Sequence, residues 1–167
     1  EVLKEIELPE GAGPFNIAFR PDDKYAYVGL KKIGMLGVID IASLELVDTL
    51  VSGTDTNSTY FHPTAPLAVV TNDGADSHVS ILDSENNQII DLIDTGGKST
   101  HNAHWTPDGR WILVSNRGGD TVTLLEYVAD TGTIEWVDDI VVGFGTNGVL
   151  WAPYFCGEQL VTVDNAG

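Results

Sequence analysis

Residues 105–116 read Trp-Thr-Pro-Asp-Gly-Arg-Trp-Ile-Leu-Val-Ser-Asn: an aromatic, a turn on Pro107-Asp108-Gly109, then a run of β-favouring side chains. Proline presets one backbone angle of the turn, Asp and Gly let the chain reverse, and the Trp-Ile-Leu-Val run suits a pleated strand. The same order occurs at Phe19-Arg20-Pro21, Phe61-His62-Pro63 and Trp151-Ala152-Pro153, so the aromatic returns at spacings of 42, 44 and 46 residues. Repetition with a period of about 40 residues decides an architecture before any single strand is assigned.

Outward from each proline, the pattern predicts further strands. Second strands are expected at Tyr25-Ala26-Tyr27-Val28, Leu67-Ala68-Val69-Val70, Trp111-Ile112-Leu113-Val114 and Leu160-Val161-Thr162-Val163. Third strands fall at 37–40, 79–83 and 122–125, and fourth strands at 45–50, 88–93 and 134–142. Four antiparallel strands in a meander cannot bury both faces alone and must stack on units like themselves, which is how a β-propeller blade works. The fold class is therefore all-β: a propeller of four-stranded antiparallel blades, with three complete blades and incomplete terminal ones. The expected spans are 1–12 for the outer strand of a preceding blade, 13–55, 56–99 and 100–145 for three blades, and 146–167 for the first two strands of another. Such a chain is expected to be part of a ring of about six to eight blades, completed by the same longer chain or by another subunit.

Composition narrows the partners. With 25 acidic and 8 basic residues the net charge is −17. The 5 Lys and 3 Arg are scattered, which disfavours a nucleic-acid backbone and an anionic membrane surface. No apolar run approaches the roughly 20 residues of a membrane helix, so no membrane insertion is expected. The single cysteine, Cys156, has no partner for an internal disulfide. It is placed in the turn after Pro153, as a structural thiol. Strong acidity suits either a high-salt habitat or an extracytoplasmic surface, and the latter location is taken as the expectation.

The 105–126 segment, and Phe61-His-Pro-Thr-Ala-Pro-Leu-Ala-Val-Val-Thr-Asn-Asp-Gly before it, resemble the YVTN-type propeller repeat, in which a Pro-Asp-Gly turn leads into a strand ending near Thr-Asn. In the first unit Val28-Gly29-Leu30 departs from that ending, and in the last only Asn165 is kept. The resemblance implies a propeller of the kind found in surface-layer and extracytoplasmic binding proteins, in lactonase-like enzymes and in the haem-binding propellers of nitrite reductases. The motif residues serve turn and strand core, so they identify the blade and leave the chemistry open.

In a propeller, the inter-blade loops and the loops between second and third strands share one face. That face would carry residues 54–57, 99–102 and 146–148 from the first set and 31–34, 72–78 and 116–120 from the second. The candidate ligand-binding residues are His101, Asn102, His104, Asn116, Arg117, Asn72 and Asp73. His78, His101 and His104 are the candidate ligands of a metal or haem iron, since imidazole is a common ligand to both. His101 is placed in an inter-blade loop, and strict alternation puts Asn102, His104 and Thr106 on one side of an inner strand with Ala103 and Trp105 on the other. Asp73, Asp76 and Asp120 offer oxygen ligands for calcium, with surface solvation as the favoured role. Arg117 is expected to pair with Asp120 in its own loop, and His62 to be structural.

No nucleophile elbow or phosphate loop is present, so the catalytic set is empty. The favoured reading is an extracytoplasmic scaffold binding a protein or small-molecule ligand without catalysis. The alternative is the cofactor-binding part of a redox enzyme, with haem or a metal ion held by inner-face histidines. The third is a lactonase-like metal-dependent hydrolase, with carboxylates converging on the channel.

Overall fold

The computed structural model describes residues 2–75 and 78–142, together with the backbone of two strands in 150–156 and 159–164. Three sheets of four strands follow one another in chain order. The first holds β1 (Pro14–Phe19), β2 (Tyr25–Leu30), β3 (Met35–Asp40) and β4 (Glu45–Val51). The second holds β5 (Thr56–Phe61), β6 (Leu67–Asn72), β7 (His78–Asp83) and β8 (Gln88–Asp94). The third holds β9 (Thr100–Trp105), β10 (Trp111–Asn116), β11 (Thr121–Val128) and β12 (Thr133–Val141), and β13 (Leu150–Cys156) pairs with β14 (Gln159–Asp164). Each sheet is an antiparallel meander, and the first strands β1, β5, β9 and β13 contact one another in sequence. This is the radial stacking of a partial β-propeller.

In the three complete blades the first strand ends on the repeat aromatic, Phe19, Phe61 or Trp105. The reason is visible between the second and third blades. Trp105 donates its indole N–H to the Tyr60 carbonyl at 2.9 Å and meets the His62 ring edge-on at 4.7 Å. The blades adhere through apolar side chains of facing sheets. Tyr27, Leu36 and Val38 of the first blade meet Ala68, Val70 and Leu82 of the second, while Val69, Val79 and Ile81 meet Ala103, Ile112 and Val114 of the third. Burial of this kind is worth about 25 cal/mol per Å² of apolar surface.

Residues 2–9, expected as an outer strand, pair with no strand among the described residues; Ile6 and Leu8 pack on the cluster of Ala26, Val28, Leu30 and Ile39 of the first blade. Lys4 Nζ donates to the Ser43 carbonyl at 3.1 Å and fastens the segment there. In the last unit Pro153 does not open the turn, because it pairs with Thr162 inside the ladder and Cys156 pairs with Gln159.

His62 is structural, as expected, and its state follows from its partners. Nδ1 accepts the backbone N–H groups of Thr64 (3.0 Å) and Ala65 (2.7 Å), so the proton lies on Nε2 and is donated to the Gly109 carbonyl of the next blade at 3.1 Å. Burial holds its pKa below the ordinary 6.5, and burial does the same to His104 and, as the largest cause, to His101. A histidine whose folded pKa is depressed takes up its proton more readily when unfolded. Its contribution is therefore present above pH 6.5 and is lost as pH falls toward the folded value. Urea midpoints are expected to drop between pH 7.5 and 5.5, and His62→Gln to flatten that dependence; equal slopes for wild type and variant would remove His62 from the account.

Candidate functional site

Every complete blade bends its first strand at the same place. Pro14 faces Leu30 and Ile17 faces Val28; Thr56 faces Asn72 and Thr59 faces Val70; Thr100 faces Asn116 and Ala103 faces Val114. Three steps on the inner strand thus oppose two on its neighbour, a β-bulge that turns side chains away from strict alternation. The bulged residues are Phe15 and Asn16, Asn57 and Ser58, His101 and Asn102. His101 is accordingly inside β9 and not in the loop before it. Downstream of the bulge, alternation holds: Ala103 is buried in the inter-blade core and His104 lies against the Tyr60 ring at 5.7 Å.

A second repeated position faces the bulge. Lys31, Asp73 and Arg117 each follow the last residue of a second strand, with the 42- and 44-residue spacings of the repeat. Their backbone N–H groups donate to the carbonyls of Gly13, Asp55 and Ser99 at 3.1, 3.1 and 2.9 Å. All three acceptor residues have left-handed φ, 58°, 55° and 57°. One backbone device therefore presents a cation, a carboxylate and a cation from consecutive blades at one end of the inner strands.

The charges converge on Asp73 Oδ2: Lys31 Nζ at 2.8 Å, Arg117 at 3.7 Å and His101 Nδ1 at 3.9 Å. The Asp73 side chain is 3% exposed, and its Oδ1 has no hydrogen-bond partner among the described residues. An acceptor buried without a donor is costly, of order 1–3 kcal/mol, and such groups concentrate where a ligand or water completes them. With His101 neutral, two cations against one carboxylate leave one positive charge, in a chain of net charge −17. Lys31 and Arg117 also hold the His101 pKa down, against the opposing pull of Asp73, although burial is the larger cause.

Asn57 closes the group. Its Nδ2 lies 2.9 Å from His101 Nδ1 and 3.3 Å from the His101 carbonyl, while its Oδ1 accepts from Ser58 Oγ at 3.2 Å. Asn72 sits beneath the cluster as a fully used amide: Oδ1 accepts from Ser52 and Thr56, and Nδ2 donates to the His78 carbonyl and Ser80 Oγ. Asn116, its equivalent, donates to Thr121 and Thr123, and its Oδ1 has no hydrogen-bond partner among the described residues. Gly96 stands where Ser52 would, and Thr100 turns its hydroxyl to the Asn72 and His78 carbonyls.

The proposed site residues therefore divide. Asp73, His101 and Arg117 come together, Asn72 and Asn116 support them, and Asn102 and His104 lie along β9 against Tyr60, whose hydroxyl donates to Asn102 Oδ1 at 2.6 Å. Arg117 turns to Asp73 of the neighbouring blade, because both occupy the repeated position. The three histidines do not form a metal-holding group: His78 Nε2 is 3.3 Å from the Ser52 carbonyl, and among the described residues no three His, Cys, Asp or Glu side chains converge on a metal position. Of the calcium candidates, Asp73 is ion-paired to Lys31, and Asp76 lies outside the described residues. Lys31 and Asn57 were contained in the predicted loop face without being singled out. Aligning the units by their proline would have marked both, since 31, 73 and 117 then fall in one column and 15, 57 and 101 in another.

The sequence model of the family described as "Lactonase, 7-bladed beta-propeller" matches residues 1–146. The chain belongs to the seven-bladed β-propeller lactonase family. No curated protein matches it by sequence. Among solved structures it is similar to a Bacteroides fragilis protein provisionally named a 6-phosphogluconolactonase, at 24% identity and a TM-score of 0.69 over 79% of this chain and 40% of that one. It is similar to the periplasmic gluconolactonase of Pseudomonas aeruginosa at 18% identity and a TM-score of 0.72, over 93% of this chain and 44% of that one. The hydrazine synthase of Kuenenia stuttgartiensis matches at 16% identity and a TM-score of 0.71, over 90% and 41%. This lactonase-family chain thus spans less than half the length of each of these structures, and at such identities the likeness is one of fold.

Proposed function

We propose that this chain supplies part of the active face of a propeller lactone hydrolase acting on sugar-acid lactones, with Lys31, Asp73, His101 and Arg117 at its site. The observation that carries the reading is the buried Asp73 carboxylate, which has one oxygen bound by Lys31 and the other without a hydrogen-bond partner among the described residues. Membership of the lactonase family and the names of two structural relatives support the substrate class. They favour the third sequence-based reading over a scaffold without catalysis.

Hydrolysis of a lactone needs three things from a protein. A water must be oriented toward the ring carbonyl, negative charge must be stabilised on the carbonyl oxygen as the new C–O bond forms, and the ring oxygen must gain a proton as its bond to the acyl carbon breaks. Asp73 Oδ1 is assigned the water's hydrogen bond, for which it must become accessible as the substrate binds, since it is buried here, and the excess cation of the Lys31–Arg117 pair stabilises the developing oxyanion. One water proton ends on the ring oxygen as its bond to the acyl carbon breaks, giving the hydroxyl of the opened acid, and the other is released as the new carboxyl group ionises. An extracytoplasmic location remains part of the proposal; among the described residues no helix is long and apolar enough to cross a membrane.

The test is a pH-stat assay of the intact protein with glucono-δ-lactone and its 6-phosphate. Acid release well above the spontaneous rate for either is the expected result. Spontaneous rates for both, from a protein shown to be folded, would overturn the reading.

A further inference from the structure

We propose that Asn57 is a positioning residue that locks His101 in its Nε2–H tautomer, so that the imidazole meets a ligand carbonyl as a neutral donor and not as a base. The first half stands on hydrogen bonding alone, and the second rests on the lactone reading above.

The amide of Asn57 has only one sensible orientation. The His101 backbone carbonyl, 3.3 Å from Nδ2, can only accept, so the nitrogen must face it. The other end of the amide agrees, because Oδ1 takes the Ser58 hydroxyl at 3.2 Å. With Nδ2 so placed, its second N–H points to His101 Nδ1 at 2.9 Å, and that nitrogen must carry a lone pair. A neutral ring then has its proton on Nε2. The adjacent carboxylate does not reverse this, since Asp73 Oδ2 is 3.9 Å from Nδ1 and is already bound by Lys31 at 2.8 Å.

Position within the blades adds a reason for a side chain of this kind. Asn57 and His101 occupy the same bulged position of β5 and β9, so the residue of one blade reaches the ring of the next. In the first blade that position holds Phe15, which lies under Lys31 Nζ at 5.0 Å from its ring centre. In the first two blades the bulge thus places one residue against a charged or polar group of the site. For Asn57 the group is His101.

Nitrogen-15 correlation spectra of the histidine side chains of the intact protein at pH 7.5 test this, with His101 assigned by its loss in His101→Gln. The wild type is expected to show His101 protonated at Nε2. Asn57→Asp presents a carboxylate that accepts from Nδ1–H and is expected to move the proton there; Asn57→Ser, a smaller change, serves if the first variant does not fold. Lactone turnover should fall about 10²-fold with the tautomer, the scale of losing one oxyanion donor, with KM nearly unchanged. A wild-type ring protonated at Nδ1, or a tautomer indifferent to both substitutions, overturns the positioning role. A shifted tautomer with full turnover overturns the donor role alone. A protein that hydrolyses no lactone overturns the donor role together with the functional reading, and leaves the positioning role to the spectra.

Discussion

Asp73→Asn is expected to reduce lactone turnover by roughly 10²–10³-fold, within the range for losing a positioned acid–base group, while leaving the affinity for an anionic lactone unchanged or tighter. The two effects have opposite signs for one reason. Asparagine keeps the size and one acceptor oxygen but removes the negative charge that Lys31 contacts at 2.8 Å and Arg117 at 3.7 Å. The local balance moves from one excess positive charge to two, which favours a bound anion. The water loses the carboxylate that orients it, which raises the barrier. Initial-rate kinetics with a neutral and a phosphorylated lactone separate these effects. An unaltered kcat would remove Asp73 from the chemistry, and a weakened KM for the phosphorylated lactone alone would show that its charge is not what the cations are balanced against. Stability must be followed alongside, because removing one member of a buried ion pair is itself destabilising, often by about 3–5 kcal/mol.

The second large effect is predicted at a residue with no chemistry. Gly29 lies in β2 where the first blade meets the inner strand of the second, and a Cβ there would stand 2.1 Å from the Asn57 carbonyl oxygen and 2.9 Å from that of Thr56. Neither obstacle is a flexible side-chain tip; both are backbone. Gly29→Ala must push the blades apart or distort the bulge, and a loss of about 3 kcal/mol or more is expected, at or beyond the usual range for overpacking. Denaturant titration of the intact protein checks the size. A loss below about 1 kcal/mol, the ordinary effect of a point substitution, would mean that the bulge yields easily. Because the displaced carbonyl belongs to Asn57, the variant should also loosen the His101 environment, visible as a change in the same nitrogen-15 spectra.

The residue that Gly29 occupies shows what was legible beforehand and what was not. The proline-anchored repeat located the β-rich runs, because turn residues and inter-blade aromatics obey local rules and recur in register. The departure of Val28-Gly29-Leu30 from the Thr-Asn ending was visible too, yet its meaning lay in a contact with residues nearly thirty positions away. Bulges are harder still. One extra residue on an inner strand changes no composition and hardly disturbs alternation, but it moved His101 from the expected loop into β9 and placed Asn57 beside it. The pairing of Arg117 was misjudged for a related reason. Its own loop offered Asp120, the nearer carboxylate in sequence, whereas the fold brings equivalent positions of adjacent blades together. A shared face is not convergence, and His78, His101 and His104 each have their own set of neighbours.

The backbone contact shared by residues 31, 73 and 117 has a wider consequence. The amide of each is bound to a left-handed residue thirteenth, fifty-fifth or ninety-ninth in the chain, so the main chain at the rim is held without help from the side chain it displays. Lysine, aspartate and arginine are carried there on the same peptide frame. Chemistry and folding are thereby written in separate columns of the repeat. Ligand preference can drift by single exchanges at the rim, one per blade, in the manner of a combination lock whose wheels turn independently of the body that holds them.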